Sequence, residues 1–317
     1  FICIFMKNIG LTGLVLAALL SQTVCAQQVR VEQTFEKGWK FTREDQKEFS
    51  NQAFDDAKWQ SVTVPHDWAI YGPFSIENDK QNLAIAQDGQ KEAMEHAGRT
   101  GGLPFVGTGW DRLDFEAPEF GQGKTATLIF DGAMSHARVW LNGQEVGYWP
   151  YGYNSFHFDV TPYLKAEGTN TLAVRLENQH ESSRWYPGAG LYRNVHLVIN
   201  EDAYVPTWGT QLTTPEVNRD FAKVNLKTSL AFPKGKKIED YRIVTELKDA
   251  TGKVVAKAEK QGTHYDGKGF EQDFVVDKPA LWSPDSPALY TAESKIYEGN
   301  TLKDEYTTRF GIRSIEF

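Results

Sequence analysis

Between residues 29 and 199 the chain runs in short stretches of β-branched and aromatic residues, each broken by Gly, Pro, Asn or Asp, with no amphipathic helical stretch between them. Side chains that alternate with a two-residue period can bury one face of a sheet but cannot form a helical stripe, so this pattern commits the segment to paired strands. Residues 126–130, 137–141, 155–160 and 171–176 are the clearest runs. Asn142-Gly143 follows one run and precedes Gln144-Glu145-Val146, which predicts a two-residue type I′ hairpin, since both turn positions tolerate positive φ. Many strands with nothing helical between them fold as two packed sheets. Residues 77–98 break the pattern: they are polar and alanine-bearing, and read as a surface excursion with room for a short helix.

A second shift falls near residues 202–206. Beyond it 224–232, 241–248, 253–260, 269–276 and 288–297 alternate again, and Asp249-Ala250-Thr251-Gly252 is a hairpin connection among them. Five or more short strands over about 100 residues fit an immunoglobulin-like sandwich.

The start of the chain reads as processing information. Met6 and Lys7 open a basic region, residues 11–20 are apolar, and Val24-Cys25-Ala26 is a small-residue exit, the pattern of a secretory signal peptide cleaved after Ala26. The apolar run is shorter than the ~18 residues a membrane span needs. The expectation is therefore an exported protein, periplasmic or secreted, with residues 1–5 an upstream extension of the reading frame. Lipid anchoring at Cys25 is the lesser alternative, because Gln22-Thr23-Val24 lacks the usual small residue before the cysteine. Both cysteines, Cys3 and Cys25, fall in this leader, so stability of the mature chain rests on buried apolar surface rather than disulfides.

A net charge of −8 argues against nucleic acid as a partner, since no basic patch offsets phosphate repulsion. The nine Trp agree equally with a carbohydrate-facing surface and with a large core. His66, His136 and His157 have neither metal-ligand spacing nor triad partners, and Gly107-Thr108-Gly109 precedes no helix that would make it a nucleotide loop. No metal or cofactor is expected. Trp110, Trp140 and Tyr192 alternate with apolar neighbours and read as sandwich core.

A series of strings carries a more specific reading: Val64-Pro65-His66-Asp67-Trp68, Gly107-Thr108-Gly109-Trp110, Phe130-Asp131-Gly132-Ala133-Met134, Val139-Trp140-Leu141-Asn142-Gly143 and Ser183-Arg184-Trp185-Tyr186-Pro187-Gly188-Ala189-Gly190-Leu191-Tyr192-Arg193. Trp208-Gly209-Thr210, Leu281-Trp282-Ser283-Pro284 and Arg309-Phe310-Gly311-Ile312-Arg313 follow in the second half. In this order they resemble the β-galactosidases of glycoside hydrolase family 2. The resemblance implies an all-β chain: leader at 1–26, a jelly-roll-like (galactose-binding-like) sugar-binding sandwich at 27–203, an immunoglobulin-like sandwich at 204–309, and at 310–317 the start of a linker to a (β/α)₈ catalytic barrel that these residues do not include.

The same resemblance implies hydrolysis of terminal β-galactosides with retention, by two glutamates of that barrel, so that no catalytic residue is assigned here and these residues alone are expected to be inactive. The expected partners are a β-galactoside oligo- or polysaccharide and the barrel of the same polypeptide. A stand-alone carbohydrate-binding protein, or a β-glucuronidase or β-mannosidase relative, is the alternative. Asp67 is the first substrate-binding candidate, because a carboxylate accepts hydrogen bonds from vicinal hydroxyls. The alternative, a turn or cap residue after Pro65, ranks just behind it, because the whole Pro65-His66-Asp67-Trp68 string matches the family. His66 accompanies it in the same string. Arg184 and Trp185 form the second pair, either donors and a stacking face for a pyranose or a structural plug. Where the family commonly has an aromatic residue after the Gly-x-Gly-Trp tryptophan, this chain has Asp111, a departure expected to reshape the rim of the sugar site.

Overall fold

The computed structural model describes residues 28–75, 77–78, 80–84, 89–96, 105–180, 186–262 and 269–315. The expected leader, Arg184 and Trp185 lie outside the described residues.

The described chain is built almost wholly of strands. Those of the first half are β1 (Arg30–Thr34), β2 (Trp39–Thr42), β3 (Gln60–Val62), β4 (Gln81–Leu83), β5 (Met94–His96), β6 (Gly107–Glu116), β7 (Thr125–Phe130), β8 (Ala137–Leu141), β9 (Gln144–Trp149), β10 (Phe156–Asp159), β11 (Thr169–Asn178) and β12 (Val195–Asn200). They make a four-stranded sheet in the order β1-β12-β7-β10 and a six-stranded sheet in the order β3-β2-β6-β11-β8-β9. Between these sheets lie Trp39, Leu113, Leu128, Phe130, Val174 and Leu197, among others, each almost completely buried. Each such side chain contributes roughly 1.5–3 kcal/mol by leaving water. At the β8–β9 turn Asn142 has φ 55° and Gly143 φ 81°, the two positive angles a type I′ hairpin requires.

The second half carries β13 (Thr210–Val217), β14 (Phe221–Ser229), β15 (Tyr241–Lys248), β16 (Val254–Gln261), β17 (Gly269–Asp277), β18 (Tyr290–Glu298) and β19 (Thr301–Phe310). Their sheets have the orders β13-β14-β17 and β16-β15-β18-β19. Across the middle of this core runs a polar layer in which Thr245 Oγ1 meets Gln272 Oε1 at 2.8 Å and Ser294 Oγ at 2.9 Å. Apolar clusters flank it on both sides, one around Leu247 and Phe274, the other around Ile243 and Phe270. A buried hydroxyl–amide set of this kind is tolerated because its members satisfy one another.

Three expectations are corrected. In the excursion at 77–98 the described residues form the two-stranded pair β4 and β5, not a short helix. Trp110 is buried, but not between the sheets: alternation along β6 turns it to the outer side, where Phe49 of a 3₁₀ turn (Lys47–Ser50) covers it and its indole N–H donates to Asp45 Oδ1 at 2.9 Å. Trp140 stacks on that outer indole at 5.0 Å, again outside the main core.

Candidate functional site

A non-strand segment, Thr63-Val64-Pro65-His66-Asp67-Trp68, follows β3. It is anchored on both sides of the candidate residues. Trp68 is 1 % exposed and stacks on Phe41, while the His66 N–H donates to the Leu191 carbonyl at 2.7 Å. Arg43 reaches from the end of β2 to the carbonyls of Trp68 and Gly72. The Leu191 contact brings in the Pro187-Gly188-Ala189-Gly190 stretch. Gly190 has φ +89°, and a Cβ there would lie 2.4 Å from the Trp68 ring and 2.5 Å from the His66 carbonyl, so only glycine permits this approach.

Asp67 is thereby fixed at a pocket wall. Its Oδ1 accepts hydrogen bonds from the Tyr186 phenol at 2.5 Å and the Ala69 N–H at 3.2 Å. Among the described residues no hydrogen bond reaches Oδ2. The pocket, about 660 Å³, is lined by His66, Asp67, Val62, Ile70, Tyr71 and Tyr192. That size falls within the range of small-molecule sites, and the combination of apolar walls with a few fixed polar groups is typical of them. Tyr71 and Ile70 are exposed at its edge.

Tyr192, read from sequence as core, instead lines this pocket and donates through its phenol to the Gly152 carbonyl at 2.7 Å. Burial pushes the pKa of the Tyr192 phenol up, which keeps it a donor at neutral pH. Asp111 is likewise not a rim residue. It is 0 % exposed on the inward face of β6, with its Oδ1 3.6 Å from His66 Nδ1. Burial pushes its carboxyl above the usual carboxylate range, and the neighbouring imidazole pulls it back down.

The structure thus places Asp67 and His66 together. Arg184 and Trp185, outside the described residues, directly precede Tyr186 in the chain. Sequence reasoning overlooked Tyr186 as a partner of Asp67. Its place in the Trp185-Tyr186-Pro187-Gly188 string was the only available signal. It also misplaced Asp111: an acid at a position in line with Leu113 and Phe115 of β6 was visible, but nothing local says which side chain it faces.

A second hollow, about 480 Å³, lies in the second half of the chain between Leu212, Trp282, Phe310 and Ile315. Its one charged lining group, Arg313, is spread over the Trp282 ring at 4.6 Å. With no carboxylate or other acceptor side chain beyond threonines, it lacks the polar set found around Asp67.

Comparison with known proteins agrees on both halves. Residues 33–200 match the family model described as "Glycosyl hydrolases family 2, sugar binding domain", and residues 209–313 that described as "Glycosyl hydrolases family 2". The beta-galactosidase BoGH2A of Bacteroides ovatus is 37 % identical over 288 residues, covering 90 % of this chain and 32 % of that protein. A putative beta-glucuronidase of Formosa agariphila is 35 % identical over 316 residues, covering 98 % of this chain and 27 % of its own length. Among solved structures, a glycosyl hydrolase family 2 member from Bacteroides cellulosilyticus superposes with a TM-score of 0.80 at 31 % identity, over 90 % of this chain and 36 % of that one. The chain spans about a third of the length of the curated relatives it matches.

Proposed function

Since the chain belongs to glycosyl hydrolase family 2, we propose that it is the sugar-recognising part of an exported, retaining β-galactosidase whose bond-breaking carboxylates stand on a barrel beyond these residues. Retention requires two carboxyl groups about 5 Å apart, one protonating the leaving oxygen and one attacking the anomeric carbon. In this reading the pocket around Asp67 closes against that barrel and holds the terminal sugar in place for them.

The observation that carries the proposal is Asp67 held by Tyr186 and Ala69 through Oδ1 at the pocket wall. A carboxylate oriented through one oxygen offers the other to sugar hydroxyls, and discrimination between hydroxyl epimers comes from such hydrogen bonds because a mismatched epimer leaves a desolvated acceptor unpaired. It also disfavours a uronic acid in the same orientation, whose carboxylate would stand beside a like charge. A β-glucuronidase is the second reading, because several relatives from Formosa agariphila carry that printed name, some of them as putative. The basic-then-apolar start over residues 6–26 supports export, and fractionation of expressing cells tests it.

The deciding experiment is calorimetric titration of the purified chain and of Asp67→Ala with methyl β-galactoside and methyl β-glucuronide, beside hydrolysis of the two chromogenic glycosides by the longer gene product. Galactoside binding that Asp67→Ala abolishes without unfolding, together with galactoside turnover only by the longer product, is the expected result. Turnover of the glucuronide alone, or full turnover by these 317 residues, would reject the proposal.

A further inference from the structure

Beneath the pocket lies a pair of side chains that the proposed function leaves unused. Asp111 stands on the same face of β6 as Leu113 and Phe115, opposite Phe41 of β2 and Val174 of β11. It is sealed from solvent, and no hydrogen-bond donor completes a bond to either carboxylate oxygen. Buried polar groups in folded proteins are almost always partnered, so an orphan carboxylate inside a sandwich points to a role. The polar atom that approaches it is His66 Nδ1, at 3.6 Å, and that nitrogen is itself buried without a hydrogen-bond partner. The two orphans are complementary: a hydrogen on Nδ1 gives the nitrogen an acceptor and the carboxylate a donor.

We propose that Asp111 is a positioning residue of the sugar pocket: its carboxylate holds the hydrogen of His66 on Nδ1, and so fixes the imidazole with Nε2, on the opposite edge, as a hydrogen-bond acceptor for the sugar. This rests on the reading of the pocket as a sugar site. It deepens that reading, because His66 Nε2 and the Asp67 carboxylate then form adjacent acceptors from consecutive residues. A pair of acceptors selects a neutral sugar presenting two hydroxyl hydrogens and rejects one that brings a carboxylate or sulfate to the same place.

The other charges on the surrounding elements are engaged elsewhere. On the segment after β3, Asp67 accepts from Tyr186 and Ala69. On β2 and just after it, Lys40 donates to Ser61 and Arg43 to the Trp68 and Gly72 carbonyls. On β6, Arg112 pairs with Asp56 and Asp114 accepts from Thr171. On β11, Arg175 pairs with Asp45 and Glu177. The ionisable side chain that bears on Asp111 is that of His66. The ring is steadied by an edge-on contact with Phe41 at 4.8 Å, so its remaining freedom is which nitrogen carries the hydrogen. A separation longer than a full hydrogen bond is usual for such pairs before ligand arrives.

The test is the tautomer of His66 in the ¹⁵N-labelled chain, read from long-range proton–nitrogen spectra at pH 7 with His66→Gln as the assignment control, in wild type, Asp111→Leu and Asp111→Asn. The expected result is an Nδ1-protonated ring in wild type and a return toward the Nε2-protonated form, which free imidazole prefers, in Asp111→Leu. Methyl β-galactoside should bind Asp111→Leu about tenfold more weakly, the worth of one hydrogen bond to a misplaced acceptor. Should Asp111→Leu not fold, Asp111→Asn keeps the size and removes the charge; its amide oxygen still accepts, more weakly than a carboxylate, so a smaller shift in the same direction in tautomer and affinity is expected. An Nε2-protonated ring in wild type, or one tautomer and one affinity in all three proteins, overturns the inference while leaving the sugar site standing. A tautomer shift in a chain that binds no sugar overturns the sugar site itself, and with it any part for Asp111 in recognition.

Discussion

Arg30 holds both carboxylate oxygens of Asp304, through Nε at 2.9 Å and Nη2 at 2.8 Å, across 274 residues of chain. Arg30 lies in β1 of the first sandwich and Asp304 in β19 of the second. Asp304 is fully buried and also accepts from the Val205 N–H at 2.7 Å, while Arg30 donates to the Val205 carbonyl and lies over the Tyr306 ring. One planar fork thus ties the two sandwiches and the segment that joins them.

Breaking that pair from one side leaves the other charge desolvated. Asp304→Ala is expected to cost about 3–5 kcal/mol, the usual consequence of stranding one member of a buried ion pair. Urea unfolding followed by tryptophan fluorescence measures it, and a loss under ~1 kcal/mol would show that the fork is ornamental.

Tyr186→Phe removes the phenol that orients Asp67 and keeps the ring. The expectation is galactoside affinity lower by about fivefold, one net hydrogen bond, with the unfolding midpoint nearly unchanged because the ring still packs beside Trp68 and Ala189. Unchanged affinity in calorimetry would mean that Asp67 needs no help from this side chain.

At Gly190 a side chain meets both backbone strain and a wall. With φ +89° and a would-be Cβ 2.4 Å from Trp68, Gly190→Ala is expected to destabilise by about 3 kcal/mol or more. Gly252, also at positive φ but with open space around it, is the control. Gly252→Ala should cost only about 1 kcal/mol from strain. Equal losses at the two sites would show that the contact with Trp68 is relieved by movement.

Asp111 gives the stability a definite pH dependence. Burial raises its folded-state pKa above the unfolded value, opposed by His66. A carboxyl raised in this way costs nothing while it is protonated in both states, below the unfolded value near ~3.9. The cost grows as pH climbs from there to the raised folded value, then stays constant. Asp111→Asn should therefore match wild type near pH 3 and exceed it in thermal stability by a growing margin above that. A margin that shrinks with rising pH would show that the ionised carboxylate is stabilising.

The strands between 126 and 176 and the type I′ turn at Asn142-Gly143 were legible because each depends on neighbours in sequence: alternation by twos for the strands, tolerance of positive φ for the turn. Strands β13 and β19 were not foreseen as strands. Both are mostly polar in sequence, TQLTTPEV and TLKDEYTTRF, so few apolar residues mark an inward face; β13 also contains Pro215 beside a bulge between Thr213 and Glu216. The polar layer of Thr245, Gln272 and Ser294 was equally hidden, since each residue alone looks like an ordinary break in an apolar strand.

What the residues determined without any fold in view was the kind of structure, two sandwiches in series, and the short string that holds His66 and Asp67. Those are consequences of period, turn chemistry and local order along the chain. The tertiary structure alone decided that Tyr186 grips Asp67 from 119 residues away, that Asp111 lies under His66, and that Arg30 closes on Asp304. Such meetings follow from strand order and register, which every strand sets jointly by packing against all the others, so no local stretch of sequence contains them.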